Sequence, residues 1–309
     1  MKPVIVLTGP TGSGKSRVVY DLPEKLPIEV INADSRQIYR YMDIGTAMPS
    51  RAEMEKFSHH LFSFLDPSQP FSAGQYASLC KEALEKIHAR NHIPVIVGGT
   101  FFYIKALWDG LLENIPIPPE IKERVGKLSR EDAYNLLREI DPHRGAKLFL
   151  RDEHRVKRSL ELSLSTNSPI SSLTKSGGVF ANYTFHSFCL DMNRATLYER
   201  INERVKLMFD HGLLKEVANL LALGYTVHDP GLNAIGYKEI INMSAHDHLD
   251  VKNWTDNMIR QVIEKTSQAS RNFAKRQLTW FRHEDRLKRI DPIHAVSLIS
   301  EIILQSTKI

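Results

Sequence analysis

Near-continuous apolar runs punctuate the first third of the chain: Val4-Ile5-Val6-Leu7, Ile28 to Ile31, and Pro94-Val95-Ile96-Val97. Runs of this kind predict short strands covered on both faces, as in a parallel sheet with helices on either side. Between the second and third, Ala73 to Arg90 repeats apolar side chains at helical spacing through Tyr76, Leu79, Leu84 and Ile87, and reads as a crossover helix. Phe101 to Trp108 predicts another helix, which runs into Ile115-Pro116-Ile117-Pro118-Pro119. Proline lacks the amide hydrogen that regular pairing needs, so a domain boundary is expected there.

Beyond it, Glu120 to about Thr166 is helical and charged, and Ser171 to Gly178 is a polar loop ending in glycines. Strand composition returns at Tyr183 to Leu190, while Thr196 to Leu223 and Lys252 to Phe281 are helical. The pattern predicts a discontinuous α/β core over 1–118 and 189–309, a parallel sheet flanked by helices, interrupted by a mainly helical insertion over 119–188.

With 309 residues and 42% apolar content, the chain can pack a sizeable core. Its two cysteines, Cys80 and Cys189, are too few for a disulfide framework or a four-ligand zinc site, and both read as buried thiols of a reducing compartment. The first strand begins at Val4, which leaves no room for a signal peptide, and no apolar run approaches the roughly 20 residues of a membrane span. A cytoplasmic protein without membrane attachment is expected. The net charge of +5 suggests a polyanionic partner only if the cations cluster.

Between the first strand and Arg17 to Asp21, which can open a helix, lies Gly9-Pro10-Thr11-Gly12-Ser13-Gly14-Lys15-Ser16. It fits the phosphate-binding pattern G-x-x-x-x-G-K-[ST], with strand, loop and helix in the required order. Glycines let successive amides converge on phosphate oxygens, Lys15 adds a point charge, and the Ser16 hydroxyl can ligate Mg²⁺. The core is therefore expected to be P-loop NTPase-like and its ligand to carry a diphosphate or triphosphate. On the loop alone, a nucleoside triphosphate such as ATP is the first expectation.

An ATP-hydrolysing protein of this kind has an acidic residue ending a second apolar strand. Here the third run ends in Gly98-Gly99-Thr100, where glycines allow either close approach to a ligand or a plain turn. The carboxylate available is Asp34, in Asn32-Ala33-Asp34-Ser35-Arg36-Gln37-Ile38-Tyr39, at the carboxyl edge where open α/β sheets bind ligands. It can take a proton from a nucleophile or cap a helix, and spacing alone does not choose. Gln37 offers an amide suited to a nucleobase edge. Arg200 and Arg204, four apart, can clamp phosphate or pair with Glu199 and Glu203 on a solvated face.

The cations do cluster. Arg271 to His283 interleaves basic residues with Phe273, Trp280 and Phe281, a mix suited to phosphate contact and base stacking. A second basic group, His154-Arg155-Val156-Lys157-Arg158, lies in the insertion. Either group alone fits a solvated face; together they point to nucleic acid. The pair His59-His60 lacks cysteine or acidic neighbours at metal-ligand spacing and is assigned no metal.

Taken together, these residues resemble the tRNA dimethylallyltransferases, also called tRNA isopentenyltransferases. The similarity runs from about Val4 to Arg282 in ordered blocks: the Gly9 to Ser16 loop, Asp34 to Tyr39, Met42-Asp43-Ile44-Gly45-Thr46-Ala47, Gly98-Gly99-Thr100, Ala234-Ile235-Gly236-Tyr237-Lys238-Glu239 and Lys275 to Arg282. The resemblance implies transfer of a dimethylallyl group from dimethylallyl diphosphate to the exocyclic N6 amine of adenosine 37, beside the tRNA anticodon, with release of diphosphate. It implies Asp34 as general base, Thr100 as a nearby hydrogen-bonding group, and Lys15, Arg204 and Ser16 with Mg²⁺ as diphosphate ligands. Gln37 would read the adenine. Ser35, Arg36, Lys238, Lys275, Arg276, Gln277, Trp280 and Arg282 would join Asp34, Gln37, Thr100 and the 154–158 run in contact with tRNA. The insertion would clamp the anticodon stem, and the enzyme would be a monomer. Without the cysteines and histidines of members that carry a C-terminal zinc finger, the chain resembles the short bacterial form. Asn233 stands where several relatives have a basic residue or glutamine.

Three rivals share parts of this pattern. An adenylate isopentenyltransferase acting on free AMP or ATP needs neither the insertion nor the basic-aromatic run. A P-loop kinase for a small molecule shares the loop and the Mg²⁺ site, but Gly98-Gly99-Thr100 stands where its acid is expected. A non-catalytic RNA-binding P-loop protein predicts tRNA binding without turnover.

Overall fold

The computed structural model describes residues 1–110, 115–173, 182–247 and 253–307; the 174–178 part of the expected polar loop lies outside them. Strands β1 (Lys2–Thr8), β2 (Ile28–Asn32), β3 (Ser58–His60), β4 (Ile93–Val97), β5 (Tyr183–Leu190) and β6 (Lys288–Ile290) form one sheet in the order β3-β2-β4-β1-β5-β6. Every pairing is parallel. The three apolar runs are its centre. Val4, Ile5, Val6 and Leu7 are fully buried, each contributing about 1.5–3 kcal/mol relative to exposure. β3 and β6 are short polar edges that the apolar pattern did not announce; short edges also limit pairing with other chains.

Helices α1 (Lys15–Tyr20), α2 (Arg51–Lys56), α3 (Ala73–Ala89) and α4 (Phe101–Asp109) belong to the first third. Helices α5 (Pro119–Gly126), α6 (Arg130–Ile140), α7 (Pro142–Gly145) and α8 (Glu153–Thr166) precede β5. After β5 come α9 (Arg194–Asp210), α10 (Leu213–Ala222), α11 (Tyr237–Asp247), α12 (Asp256–Arg282) and α13 (Pro292–Ser306). The crossover helix α3 starts at a capping box: the Ser72 hydroxyl accepts the Gln75 amide, and the Gln75 side chain accepts that of Ser72. Thr196 to Leu223, expected to be helical, is divided between α9 and α10. Val18 of α1 and Ala295, Ile299 and Ile303 of α13 pack with Ile5, Leu7, Val30 and Val95 of the sheet. A second cluster joins Ile38 and Met42 to Val205, Leu213, Val217, Tyr237 and Val262.

Glu29 interrupts the apolar run of β2, yet its side chain is only 3% exposed. Arg90 reaches it through Nε (2.8 Å) and Nη2 (2.7 Å), His60 Nε2 lies at 2.7 Å and His92 Nδ1 at 2.9 Å. Burial pushes its carboxyl up, but the hydrogen bonds from Arg90, His60 and His92 outweigh it and hold the group at about 2. His59 bridges the Tyr20 hydroxyl and the Phe57 carbonyl.

The chain divides into one compact unit, Met1–Ile104 with Ala181–Ile309, and a second, Lys105–Phe180. The division falls within α4 rather than at the proline run, whose Pro119 opens α5 instead. The sheet resumes at Tyr183, so 183–188 pair with β1 and do not belong to the insertion expected over 119–188. The second unit has its own core of Val125, Ala133, Leu137, Leu148, Val156 and Leu160.

Candidate active site

Because the strands run parallel, the carboxyl ends of β1, β2 and β4 open on one edge of the sheet, the edge that binds ligands in such folds. β1 feeds the Gly9 to Ser16 loop, β2 feeds Asp34, and β4 feeds Gly98-Gly99-Thr100. Gly14 takes φ +92 on entering α1, a value that residues with side chains rarely adopt. Lys15 then folds over the loop, its Nζ donating to the Gly9 and Pro10 carbonyls at 2.9 Å each. Burial pushes its ammonium down to about 8; Asp34 opposes that shift and Arg204 adds to it. Arg204, on α9, donates from Nη1 to the Thr11 hydroxyl at 3.0 Å. Burial lowers its guanidinium too, again against Asp34. The loop, Lys15, Arg204 and Asp34 thus form one electrostatic group.

One turn before Arg204, Arg200 places Nη1 3.8 Å from where a Cβ on Gly14 would stand. It is exposed, and among the described residues it has no ion pair with Glu199 or Glu203. Ser16 is exposed at the start of α1, and its hydroxyl makes no hydrogen bond among the described residues.

No helix follows Asp34, whose neighbours form turns, so it does not cap one. Its Oδ1 accepts the Arg36 amide at 2.9 Å in an Asx turn. Asn32 holds it from behind, accepting the Asp34 amide at 2.8 Å while its Nδ2 donates to the Asp34 and Leu61 carbonyls. The second carboxylate oxygen has no hydrogen-bond donor among the described residues and remains available for chemistry. Thr100 accepts the Ser35 amide at 2.9 Å and donates to the Ser35 hydroxyl at 3.2 Å. The β2 and β4 ends meet closely: a Cβ at Gly98 would lie 2.1 Å from the Ala33 carbonyl carbon, so this position admits only glycine.

Several expected tRNA contacts have other work. Gln277 is 5% exposed on α12. Its Oε1 accepts the Thr11 amide and its Nε2 donates to the Gly99 carbonyl, both at 2.8 Å, tying the phosphate loop to the Gly98-Gly99-Thr100 turn. Arg36 is half-buried and donates to the Pro230 carbonyl at 2.9 Å. Gln37 donates from Nε2 to the Thr46 and Ala47 carbonyls at 3.2 and 2.8 Å. Two carbonyl partners fix the NH₂ toward them and leave Oε1 as the face open to a ligand.

The basic surfaces differ. On α12, Ala274, Gln277 and Phe281 face inward, whereas Lys275, Arg276 and Arg282 are exposed without an ion pair among the described residues. Trp280 is 57% exposed, its ring 5.9 Å from that of Phe101. Lys238 is exposed on α11. In the second unit, Val156 is 1% exposed and part of the core, which corrects its place among the RNA contacts. Lys157 pairs with Glu153 (2.9 Å), Arg158 with Glu161 (3.0 Å) and Arg155 with Asp152 (3.8 Å), leaving His154 exposed on a charge-laced helix face.

Arg204 also lines a groove of about 940 Å³ with Ile44, Ala47, Met48, Leu207 and Met208 among its walls. A cation beside methionine-rich apolar surface suits a ligand with an anionic head and an apolar chain. Sequence reasoning missed two residues that shape this site, Asn32 and Glu216. Each acts through hydrogen bonds to backbone, which leave no mark in residue spacing.

A family model described as IPP transferase matches residues 37–284. A tRNA dimethylallyltransferase of Caldanaerobacter subterraneus subsp. tengcongensis is 35% identical over 293 residues, covering 92% of this chain and 90% of its own. One from Staphylococcus carnosus is 38% identical over 289 residues, covering 91% and 88%. Among solved structures, the full-length tRNA isopentenylpyrophosphate transferase of Bacillus halodurans matches with a TM-score of 0.70 and 31% identity, covering 100% of this chain and 97% of that one. A eukaryotic dimethylallyltransferase acting on tRNA matches with a TM-score of 0.78 and 26% identity, covering 94% and 74%.

Proposed function

The chain belongs to the IPP transferase family, and from that premise we propose that it transfers a dimethylallyl group from dimethylallyl diphosphate to the N6 amine of adenosine 37 in tRNA. The observation that carries the reading is Asp34, held by Asn32 with one carboxylate oxygen open, in the same electrostatic group as Lys15 and Arg204.

In the reaction the N6–C1 bond forms, the allylic C1–O bond breaks, and the electron pair leaves with the diphosphate. Loop amides, Lys15 and Arg204 stabilise the charge that develops on that leaving group, more in the transition state than in bound substrate. The proton lost from N6 passes to the open oxygen of Asp34. Thr100, joined to Asp34 through Ser35, offers a hydroxyl beside the amine, and Gln37 Oε1 is oriented to accept its second hydrogen. An adenine drawn out of its stack brings the amine to this edge.

Among the described residues no group of three or more His, Cys, Asp or Glu could hold a metal ion. The exposed Ser16 hydroxyl at the start of α1 is an oxygen donor of the kind Mg²⁺ takes, and it is the residue that would hold the ion. When bound, Mg²⁺ would neutralise charge on the diphosphate. The free cations of α12, with Trp280 beside them, supply the tRNA-facing surface. Among the described residues no helix is long and apolar enough to cross a membrane. With two buried free thiols, we place the enzyme in the reducing cytoplasm.

The test uses labelled dimethylallyl diphosphate with Mg²⁺ and either unmodified tRNA or AMP as acceptor. Label is expected in tRNA, at adenosine 37 after nuclease digestion. Label in AMP and not in tRNA overturns the reading.

A further inference from the structure

Glu216 belongs to none of the sequence blocks that carry the resemblance, yet it gathers two of them. From α10 its Oε2 accepts the Asp43 and Ile44 amides at 2.8 Å each, and its Oε1 accepts the Gly45 amide at 3.1 Å and the Tyr237 hydroxyl at 2.5 Å. Three successive backbone amides converging on one point make an anion nest, here filled by the protein's own carboxylate. The fully buried Tyr237 ring backs the same segment, packing where a Cβ on Gly45 would overlap it.

The segment so clamped is strained at both ends. Tyr41 takes φ +66 and Ala47 φ +51, left-handed values that cost energy in residues with side chains and persist where surrounding contacts enforce them. Between those ends it does two things for the site. Its Thr46 and Ala47 carbonyls receive the Gln37 amide, and Ile44 and Ala47 wall the groove shared with Arg204.

We infer that Glu216 is a positioning residue for base recognition: by clamping residues 43–45 it fixes the two carbonyls that orient the Gln37 amide. The inference rests on the base-reading role proposed for Gln37. Its reach is specific. Lys15, Thr11 and Gln277 hold the phosphate loop without contact to Glu216, so loss of the clamp should disturb base recognition and the Ile44 and Ala47 wall of the groove while sparing the diphosphate cradle.

Glu216→Gln replaces one acceptor oxygen with an NH₂, which cannot accept from a backbone amide, so at least one tie is lost. Turnover of tRNA is expected to fall about tenfold or more, the scale of a small misplacement. Affinity for inorganic diphosphate should stay within about threefold, because the ties that hold the phosphate loop are intact. Gln37→Ala completes a double-mutant cycle: the double variant should lose no more than the worse single one. Tyr237→Phe keeps the ring and removes one tie, so it should show a smaller, equally non-additive loss; it carries the test if Glu216→Gln does not fold. Losses that multiply, or a diphosphate affinity that falls in step with turnover, overturn the inference. Normal turnover by Gln37→Ala alone overturns the base-reading role itself and the route through it, an outcome the single variant distinguishes.

Discussion

The Gln277 Oε1 accepts the Thr11 backbone amide at 2.8 Å while its Nε2 donates to the Gly99 carbonyl at 2.8 Å. One buried side chain thus sets the spacing between the phosphate loop after β1 and the turn after β4. Gln277→Leu would deprive the buried Gly99 carbonyl of its side-chain partner, costing about 1–3 kcal/mol, and free the part-buried Thr11 amide at a smaller cost. The expected result is a lower Tm together with a several-fold rise in KM for dimethylallyl diphosphate. Gln277→Glu keeps the acceptor for Thr11 but opposes Gly99 with a second acceptor, so its defect should be intermediate. Thermal denaturation and steady-state kinetics check both variants.

Asp34→Asn retains an oxygen for the Arg36 amide, so the turn that presents residue 34 should survive. What it loses is the base. Turnover should fall about 100-fold or more, the usual scale for general-base removal, with tRNA affinity little changed. Single-turnover rates and filter binding separate the two effects. A near-normal rate would mean that the proton leaves by another route.

Lys15 gives the donor site a pH dependence of definite sign. Burial, opposed by Asp34 and reinforced by Arg204, places its ammonium at about 8 in the free protein. Below that pH the cation is already present. Above it, binding of diphosphate must recruit a proton, and affinity should fall by up to about tenfold per pH unit. Titration calorimetry in buffers of different ionisation enthalpy should detect net proton uptake above pH 8. Lys15→Met should bind weakly and without this dependence.

The central fold was legible because buried parallel strands must be apolar. Val4 to Leu7, Ile28 to Ile31 and Pro94 to Val97 all became strands, and the phosphate loop stood in its required place between strand and helix. The edges were not legible: Ser58–His60 and Lys288–Ile290 are too short and polar to register as runs. Thr196 to Leu223 kept a helical pattern through Gly212, whose φ of +101 breaks it into α9 and α10. At the site, residue types and spacing pointed to the chemistry but not to the bracing. Gln277 looked like part of a basic surface because its neighbours are exposed, and only the helical period of α12 turns it inward. Glu216 is one of many surface-type carboxylates until the fold brings three amides to it.

Glu29 should govern part of the acid sensitivity of the fold. Its carboxyl, pushed up by burial but held down more strongly by Arg90, His60 and His92, lies at about 2 in the folded protein against an ordinary value of 4.5. A depressed carboxylate stabilises fully above the unfolded value and loses that contribution as pH falls from about 4.5 toward 2. Glu29→Gln should therefore be less stable at pH 7, yet lose less stability across that acid window. Denaturant titrations at a series of pH values measure the slope. An unchanged slope would mean that the Glu29 cluster does not set acid stability.

Lys275 and Arg276 stand exposed on α12 without an ion pair among the described residues, one helical position from the buried brace Gln277. Charges so free are available to phosphates, and each phosphate contact releases condensed counterions. Replacing both with alanine should weaken tRNA binding at every sequence and lower the dependence of log K on log salt by about two. The fold should be unaffected, since neither side chain packs in the core. The dimethylallyl diphosphate KM should also be unchanged, because Gln277 still holds the loop. Binding measured from 50 to 300 mM salt, an interval of about sixfold, resolves a slope change of that size. Retention of the full slope would place the tRNA backbone elsewhere and leave α12 only its inward role of bracing the active site.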